Sequence, residues 1–205
     1  MSKYPIDEVL EDISTAGHGC VAVSIGGIVY VTFHLTPFAD KDDDTTRSLQ
    51  AHSAVDSVVS KYSDRPLLLM GDTNNLSPED KDRYADEAAI CRDSGINYCT
   101  SSGHIDYDPI QTLLDGGLND LCWFTFNTAS TDNQREAYNQ CSNSCPTSIW
   151  DNDIGKNNAK IDYIFGNDAF LEAYGVLHSR VQVNANTDWA SDHYPIELMF
   201  AKKLQ

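Results

Sequence analysis

The sequence predicts one layered domain of mixed α and β structure, because strand-like and helix-like segments interleave along it. Apolar runs with strand composition occur at 20–25, 28–33, 67–70, 160–165, around 176–183 and at 194–200. Helical patterns lie between several of them, which is typical of a layered α/β or α+β domain. The chain has 205 residues, 41% of them hydrophobic, so we expect a single domain over residues 1–205.

The first two strands are predicted to form a hairpin. Gly26-Gly27 separates CVAVSI from IVYVTF, and paired glycines suit the two-residue turns that join antiparallel strands. The later run LLLM at 67–70 follows Pro66 and is continuously apolar, which is typical of a strand that is buried on both faces. These two segments are therefore expected to belong to the core sheet.

Helices are predicted from apolar spacing and from capping residues. A helix beginning after Asp44 or Thr45 has apolar residues at helical spacing: Ala51, Ala54, Val55, Val58, Val59 and Tyr62. The N-terminal segment has the same spacing at Ile6, Val9, Leu10 and Ile13, so we expect a helix there as well.

Two proline motifs give helix starts, and a third short helix is expected near 168–174. Ser77-Pro78-Glu79-Asp80 combines an N-cap hydroxyl, a proline in the first turn and two acids. Asp108-Pro109 repeats the pattern, with Gly116 as the expected end of that helix.

The charge balance argues against a broad nucleic-acid-binding surface. Fourteen basic residues against 31 acidic residues give a formal net charge of −17. Such a charge repels phosphate backbones and anionic lipid head groups, so a small phosphate ester or a lipid head group is mildly favoured over a nonspecific nuclease substrate. Lys156 and Lys160 are the candidates for a locally basic cleft.

Neither a membrane anchor nor an export signal is expected. The chain has no apolar run near 18 residues, and MSKYPIDEVLED lacks a basic head followed by an apolar stretch. The expected location is therefore cytoplasmic or unknown, with the six cysteines mostly reduced. If the protein is exported, the pairs Cys91/Cys99 and Cys141/Cys145 could form local bridges, which would favour a disulfide-stabilised binding domain.

Polar residues repeatedly stand where the predicted strands end. His34 follows the second strand, Asp72 and Asn74 follow LLLM, and Asp162 lies within the apolar segment KIDYIF. An acid in an apolar strand is unfavourable unless it is paired or ligates a group. Together with Asp192-His193, which precede the last strand, these residues suggest a single convergent site.

Four ordered blocks resemble the signature segments of the endonuclease/exonuclease/phosphatase superfamily. These blocks are HLTP at 34–37, LLLMGDTNNLSPED at 67–80, KIDYIF at 160–165 and SDHYPIE at 191–197. The likeness extends from about residue 19 to 200. It implies an α+β fold with a four-layered α/β/β/α sandwich, and a divalent-metal-dependent phosphoesterase that uses Mg²⁺ or, as the alternative, Mn²⁺.

The resemblance also implies roles for individual residues. His193 resembles the base or phosphate-contacting histidine, and Asp162 resembles its carboxylate partner. Asp72 and Asn74 resemble the pair that orients the water, His34 a group near the leaving oxygen, and Asp192 a metal ligand. Arg47 matches a subgroup pattern, which implies substrate contact, although a surface or inter-element salt bridge is the alternative.

The resemblance also predicts what this chain lacks. Only 33 residues precede HLTP, so the family's early strand with an asparagine and its later Gln-Glu strand have no counterpart, and we expect an incomplete sandwich. Thr73 also replaces the customary aromatic or aliphatic residue of the GDTNN block. Two functions stay open: a phosphoesterase acting on a small molecule, lipid head group or nucleic acid, and a catalytically impaired remnant. The remnant would act as a binding or assembly unit, with self-association or a partner completing the sheet.

Overall fold

Two sheets and the helices packed against them make up the part of the chain that the computed structural model describes. The described residues are 2–13, 19–37, 46–84, 86–87, 91, 98–129, 160–182 and 193–204. The strands are β1 (Glu8–Ile13), β2 (Cys20–Ile25), β3 (Ile28–His34), β4 (Leu67–Asp72), β5 (Leu118–Asp120), β6 (Asp162–Asn167), β7 (Tyr174–Val181) and β8 (Ile196–Lys202). The α-helices are α1 (Thr46–Ala54), α2 (Asp108–Asp115), α3 (Leu121–Asn127) and α4 (Asp168–Ala173). A π-helical segment, Val55–Val59, continues α1, and a 3₁₀ helix covers Pro78–Arg83.

The larger sheet has six strands in the order β1-β2-β3-β4-β6-β5, and β7 pairs with β8 in a second sheet. Among the described strands of the larger sheet, β3 and β4 pair in parallel and the other neighbours are antiparallel. The prediction of a mixed α/β sandwich is confirmed.

The central strands are buried on both faces because their side chains alternate between two apolar clusters. On one face, residues of β3, β4 and β6 pack beneath α1 and α2: Val29, Val31, Phe33, Leu67, Leu69, Tyr163 and Phe165. On the other face, Ile28, Leu68 and Ile164 pack with side chains of β7 and β8. This alternation explains why the LLLM segment is continuously apolar, as a strand covered on both sides must be.

The hairpin prediction is confirmed. β2 and β3 pair from Cys20↔Phe33 to Ile25↔Ile28, and Gly26 and Gly27 form the turn between them. Their φ angles are 59° and 83°. Two successive positive φ values are the conformation that turns joining twisted antiparallel strands require, and glycine adopts it without a steric penalty.

The predicted N-terminal helix is wrong, because residues 8–13 form strand β1 at the edge of the larger sheet. The pairing with β2 shifts between Val9 and Glu11, which face Val23 and Ala22 respectively. This irregularity inserts an extra residue and breaks the alternation of a regular strand. Because of this irregularity, two adjacent residues, Val9 and Leu10, are apolar, as they would be in a helix. The segment is too short for the spacing of its apolar residues to distinguish a helix from a strand.

The other predicted helices and strands are present, with shifts of a few residues at their ends. Ser77 caps the 3₁₀ helix by accepting a hydrogen bond from the Glu79 N–H at 3.2 Å, and Gly116 caps the end of α2. Ala51, Ala54, Val58 and Val59 are buried in the core as expected. Strand β5 and helix α3 were not predicted, because β5 has only three residues and α3 only seven.

The prediction of mostly reduced cysteines is wrong for one of the local pairs. Cys91 and Cys99 form a disulfide, with their Cα atoms 5.6 Å apart. This separation lies within the range that a disulfide bridge spans. Cys20 and Cys122 are buried thiols, and Cys141 and Cys145 lie outside the described residues.

Among the residues described, no helix has the length and hydropathy that a membrane crossing needs.

Candidate functional site

Three of the predicted site residues form one row across the larger sheet. His34, Asp72 and Asp162 lie on the neighbouring strands β3, β4 and β6. The pairing register sets His34 opposite Asp72, and Asp72 opposite Asp162. Residues directly opposite in register point to the same face of a sheet, with Cβ atoms about 5 Å apart. The sheet itself therefore brings these side chains together.

The fourth residue, His193, approaches this row from the segment that precedes β8. Its Nδ1 atom lies 2.9 Å from Oδ2 of Asp162, a hydrogen-bonding distance. Its Nε2 atom lies 3.7 Å from Oδ2 of Asp72, and the same oxygen lies 3.5 Å from Nε2 of His34. Asp72 thus stands between two imidazoles, while Asp162 orients one of them.

The site is partly open to solvent. The side chains of Asp72 and Asp162 are 13% and 18% exposed, whereas those of His193 and His34 are 30% and 44% exposed. Beside the Asp162–His193 pair lies a pocket of about 370 Å³. Its wall includes Met70, Ile164, Pro195 and Ile196, so the carboxylate and imidazole meet solvent next to an apolar surface.

Asn74 supports the turn after β4 from beneath. It is 3% exposed and has a φ of 48°, a left-handed conformation that asparagine tolerates better than most residues. Its backbone N–H donates to Oδ1 of Asp72 at 2.7 Å, and its side-chain Nδ2 donates to the Leu35 carbonyl at 2.9 Å. Asn74 therefore holds the Asp72 carboxylate and links the ends of β3 and β4.

Arg47 lies in the interior, which differs from the substrate contact that the resemblance implies. It is 2% exposed, and its guanidinium donates a hydrogen bond to the Asn74 carbonyl at 2.9 Å. An arginine so deeply buried beneath the turn is not positioned to meet a ligand from solvent. The structure thus favours an inter-element contact, in which α1 supports the turn that carries Asp72.

Lys160 is buried, so it does not provide the basic cleft that its charge suggests. Its ammonium contacts the carboxylates of Asp120 at 2.5 Å and Asp80 at 3.2 Å. These partners, and not Asp162, neutralise its charge. Lys156 lies outside the described residues. The signal available in the sequence was the position of Lys160 next to a buried strand, where an ammonium requires acidic partners.

The carboxylate of Glu79, near this buried cluster, makes stability depend on pH. Burial, and then the Asp120 carboxylate, raise the pKa of Glu79 to about 7 from its ordinary 4.5. The folded chain therefore keeps a proton between pH 4.5 and 7 that the unfolded chain releases, and the free energy of unfolding falls as pH rises through this window. Urea denaturation between pH 4.5 and 8 should show this fall in the wild type and a smaller one in Glu79→Gln. The exposed Glu172→Gln is the control, and equal slopes in wild type and Glu79→Gln would contradict the assignment.

Three of these side chains also meet the distance requirement of a metal site. Ligand atoms of Asp72, Asp162 and His193 lie within 4.8 Å of one another. Carboxylate oxygens suit Mg²⁺, and adding an imidazole nitrogen also suits Mn²⁺. Asp192, the metal ligand that the resemblance implies, lies outside the described residues.

Comparison with known proteins gives structural relatives only. No protein-family model matches the chain, and no curated protein sequence gives a significant match. The 3′ phosphatase NExo from Neisseria, solved with a product DNA hairpin, has a TM-score of 0.67 at 16% identity, over 98% of this chain and 73% of its own. An AP endonuclease from Archaeoglobus fulgidus has a TM-score of 0.64 at 13% identity, over 97% and 72%. An endonuclease/exonuclease/phosphatase from Beutenbergia cavernae has a TM-score of 0.60 at 14% identity, over 98% of this chain and 46% of its own.

Proposed function

We propose that this chain, which adopts the endonuclease/exonuclease/phosphatase fold, is a phosphoesterase that hydrolyses its substrate with an activated water. The observation that carries the proposal is the hydrogen-bonded pair of Asp162 and His193, whose second ring nitrogen faces Asp72 at 3.7 Å. An oriented imidazole beside a carboxylate, open to solvent, is an arrangement that can move a proton during ester hydrolysis.

Asp162 fixes the tautomer of His193. Its carboxylate accepts the Nδ1–H bond, so the lone pair of the neutral ring lies on Nε2, on the side of Asp72. The negative charge of Asp162 also stabilises the ring when it becomes protonated. His193 can therefore take a proton from water, or contact the phosphoryl group as an imidazolium.

Asp72 and His34 complete the polar surface around that nitrogen. The Asp72 carboxylate, held by the Asn74 N–H, is positioned to orient a water molecule beside His193. His34 lies on the other side of Asp72 and is the most exposed of the four, which suits a group that meets the leaving oxygen. In this scheme Asn74 holds the Asp72 carboxylate in place. Its side-chain amide can also contact a phosphoryl oxygen when its hydrogen bond to the Leu35 carbonyl breaks.

A divalent cation, Mg²⁺ or Mn²⁺, fits the donor atoms present. The carboxylates of Asp72 and Asp162, with Asp192 as the further predicted ligand, would hold it, which leaves Nε2 of His193 for proton transfer. When bound, the cation would supply positive charge to stabilise the phosphoryl oxygens as negative charge develops on them. This charge matters in a chain whose formal net charge is −17.

The substrate class is a phosphate ester, with nucleic acid the first form to test. Two of the structural neighbours are a 3′ phosphatase solved with product DNA and an AP endonuclease. Small phosphate esters and lipid head groups form the second class, because the net negative charge disfavours a long polyanion.

Hydrolysis assays on the purified chain test the proposal. The substrates are 3′-phosphorylated DNA, DNA with an abasic site, bis(p-nitrophenyl) phosphate, p-nitrophenyl phosphate and sphingomyelin vesicles. We expect release of product from at least one, abolished by EDTA and restored by Mg²⁺ or Mn²⁺. A folded chain that hydrolyses none of these substrates would contradict the proposed phosphoesterase activity. Hydrolysis that EDTA leaves unchanged would contradict only the proposed requirement for a metal ion.

No described feature favours the alternative of an impaired remnant. The Asp162–His193 hydrogen bond is formed, and Asp72 lies beside it. We therefore do not propose a separate binding role.

A further inference from the structure

The side chain that follows Asp72 is a buried threonine that bonds to the strand carrying Asp162. Thr73 is fully buried, and its Oγ1 donates to the Ile161 carbonyl at 2.8 Å. The same Oγ1 accepts the Asn75 N–H at 3.2 Å. The backbone N–H of Thr73 also donates to the Ile161 carbonyl, at 2.8 Å. One carbonyl oxygen next to Asp162 thus receives two hydrogen bonds from the residue next to Asp72.

These bonds lie where the two strands would otherwise separate. The register of β4 and β6 ends at the pair Asp72↔Asp162, so the two carboxylates stand on the last pair of the ladder. Terminal pairs of a ladder have a neighbour on one side only and open more easily than internal pairs. The Thr73–Ile161 contact continues the pairing by one residue beyond the carboxylates.

The strand on the other side of this contact is itself held in place. The Tyr163 hydroxyl donates to the Lys160 carbonyl at 2.6 Å, and the Lys160 ammonium is fixed by Asp80 and Asp120. The start of β6 is therefore a rigid support. The hydrogen bonds from Thr73 to the Ile161 carbonyl therefore fix Asp72, the residue before Thr73, relative to the start of β6.

We propose that Thr73 is a positioning residue, whose hydroxyl sets the Asp72 carboxylate against the Asp162–His193 pair. The expected effect of Thr73 on kcat rests on the proposed function. The placement of His193 can be measured without any hydrolysis. An aliphatic residue or a phenylalanine at position 73 would offer no hydroxyl to the Ile161 carbonyl.

Two substitutions separate the hydroxyl from the size of the side chain. Thr73→Val keeps the shape and removes the hydroxyl, whereas Thr73→Ser keeps the hydroxyl and removes a methyl group. We expect Thr73→Val to lower kcat about tenfold with KM within twofold, because displacing a reacting group by about 1 Å can slow a reaction by about a hundredfold, and a partial displacement should cost less. Thr73→Ser should stay within about twofold of the wild type in both constants. Equal kcat values in the two variants, whether high or low, would overturn the proposal.

A second measurement reads the same geometry without any substrate. The ring N–H of His193 that bonds to Asp162 gives a proton–nitrogen NMR signal, which a His193→Asn variant identifies by its loss. We expect this signal to shift or broaden in Thr73→Val and to be kept in Thr73→Ser. An unchanged signal in Thr73→Val would overturn the positioning role, whereas a changed signal in a chain that hydrolyses nothing would support it and contradict only the proposed function. If Thr73→Val does not fold, Thr73→Ala against Thr73→Ser makes the same comparison, since these differ only by the hydroxyl.

Discussion

Replacing Asp162 with asparagine is expected to lower kcat for phosphate ester hydrolysis about a thousandfold without unfolding the chain. The substitution conserves shape, but it removes the charge that stabilises a protonated His193. Its amide can also donate to Nδ1 and so select the wrong tautomer, which is the reason that such changes are severe in other carboxylate–histidine pairs. Steady-state kinetics on the best substrate of the panel, together with thermal denaturation, measures both effects.

Matched controls distinguish this loss from a general disturbance. Asp115→Asn makes the same chemical change on the exposed end of α2 and should leave kcat within twofold. His193→Ala should be as inactive as Asp162→Asn, whereas the exposed His104→Ala should not. The double variant of Asp162 and His193 should be little worse than either single variant, because residues that act as a unit are not additive. A folded Asp162→Asn variant with activity within threefold of the wild type would contradict the proposed pair.

Replacing Gly71 with alanine is expected to prevent formation of the central sheet. A Cβ at this position would lie 1.8 Å from the Phe33 carbonyl oxygen, and the φ of +151° is one that residues with a side chain rarely adopt. Phe33 is the register partner of Gly71 on β3, so relief of the clash would push apart the strands that carry His34 and Asp72. We expect a loss of about 4 kcal/mol or more in the free energy of unfolding, or no folded protein at all.

Circular dichroism and urea denaturation measure this outcome. Gly175→Ala is the matched control, because it is also a strand glycine but its added Cβ would meet no atom closer than 4.0 Å. We expect this control to unfold within about 1 kcal/mol of the wild type. A Gly71→Ala variant as stable as Gly175→Ala would show that the close approach of β3 and β4 is not required.

Much of the fold could be predicted because its signals are local. The Gly26-Gly27 turn, the buried run LLLM and the cap at Ser77 each depend on residues a few positions apart, and all three are present. Local signals fail where tertiary pairing decides the structure. At β1, the spacing of Val9 and Leu10 predicted a helix, but hydrogen bonds to β2 and the irregularity between Val9 and Glu11 produce a strand.

The candidate site divides in a similar way. The types and order of its residues could be read from the chain, since His34, Asp72 and His193 stand at ends of predicted strands and Asp162 is an acid within one. The burial of Arg47 and the pairing of Lys160 with Asp80 and Asp120 could not, because both depend on elements distant in sequence. The hydroxyl of Thr73 stood in the sequence as a departure from the superfamily pattern, but its acceptor on Ile161 is 88 positions away.

The amino-acid sequence alone determined where the chain turns, which segments are apolar enough to become central strands, and which side chains with proton-transfer chemistry stand at their ends. The tertiary structure decided that His34, Asp72 and Asp162 align in one row and that His193 reaches Asp162 across the two sheets. Turns and periodicity arise from interactions between near neighbours, which a sequence displays directly. Strand order and register arise from the burial of both faces of the sheet at once, and this is a property of the folded chain as a whole.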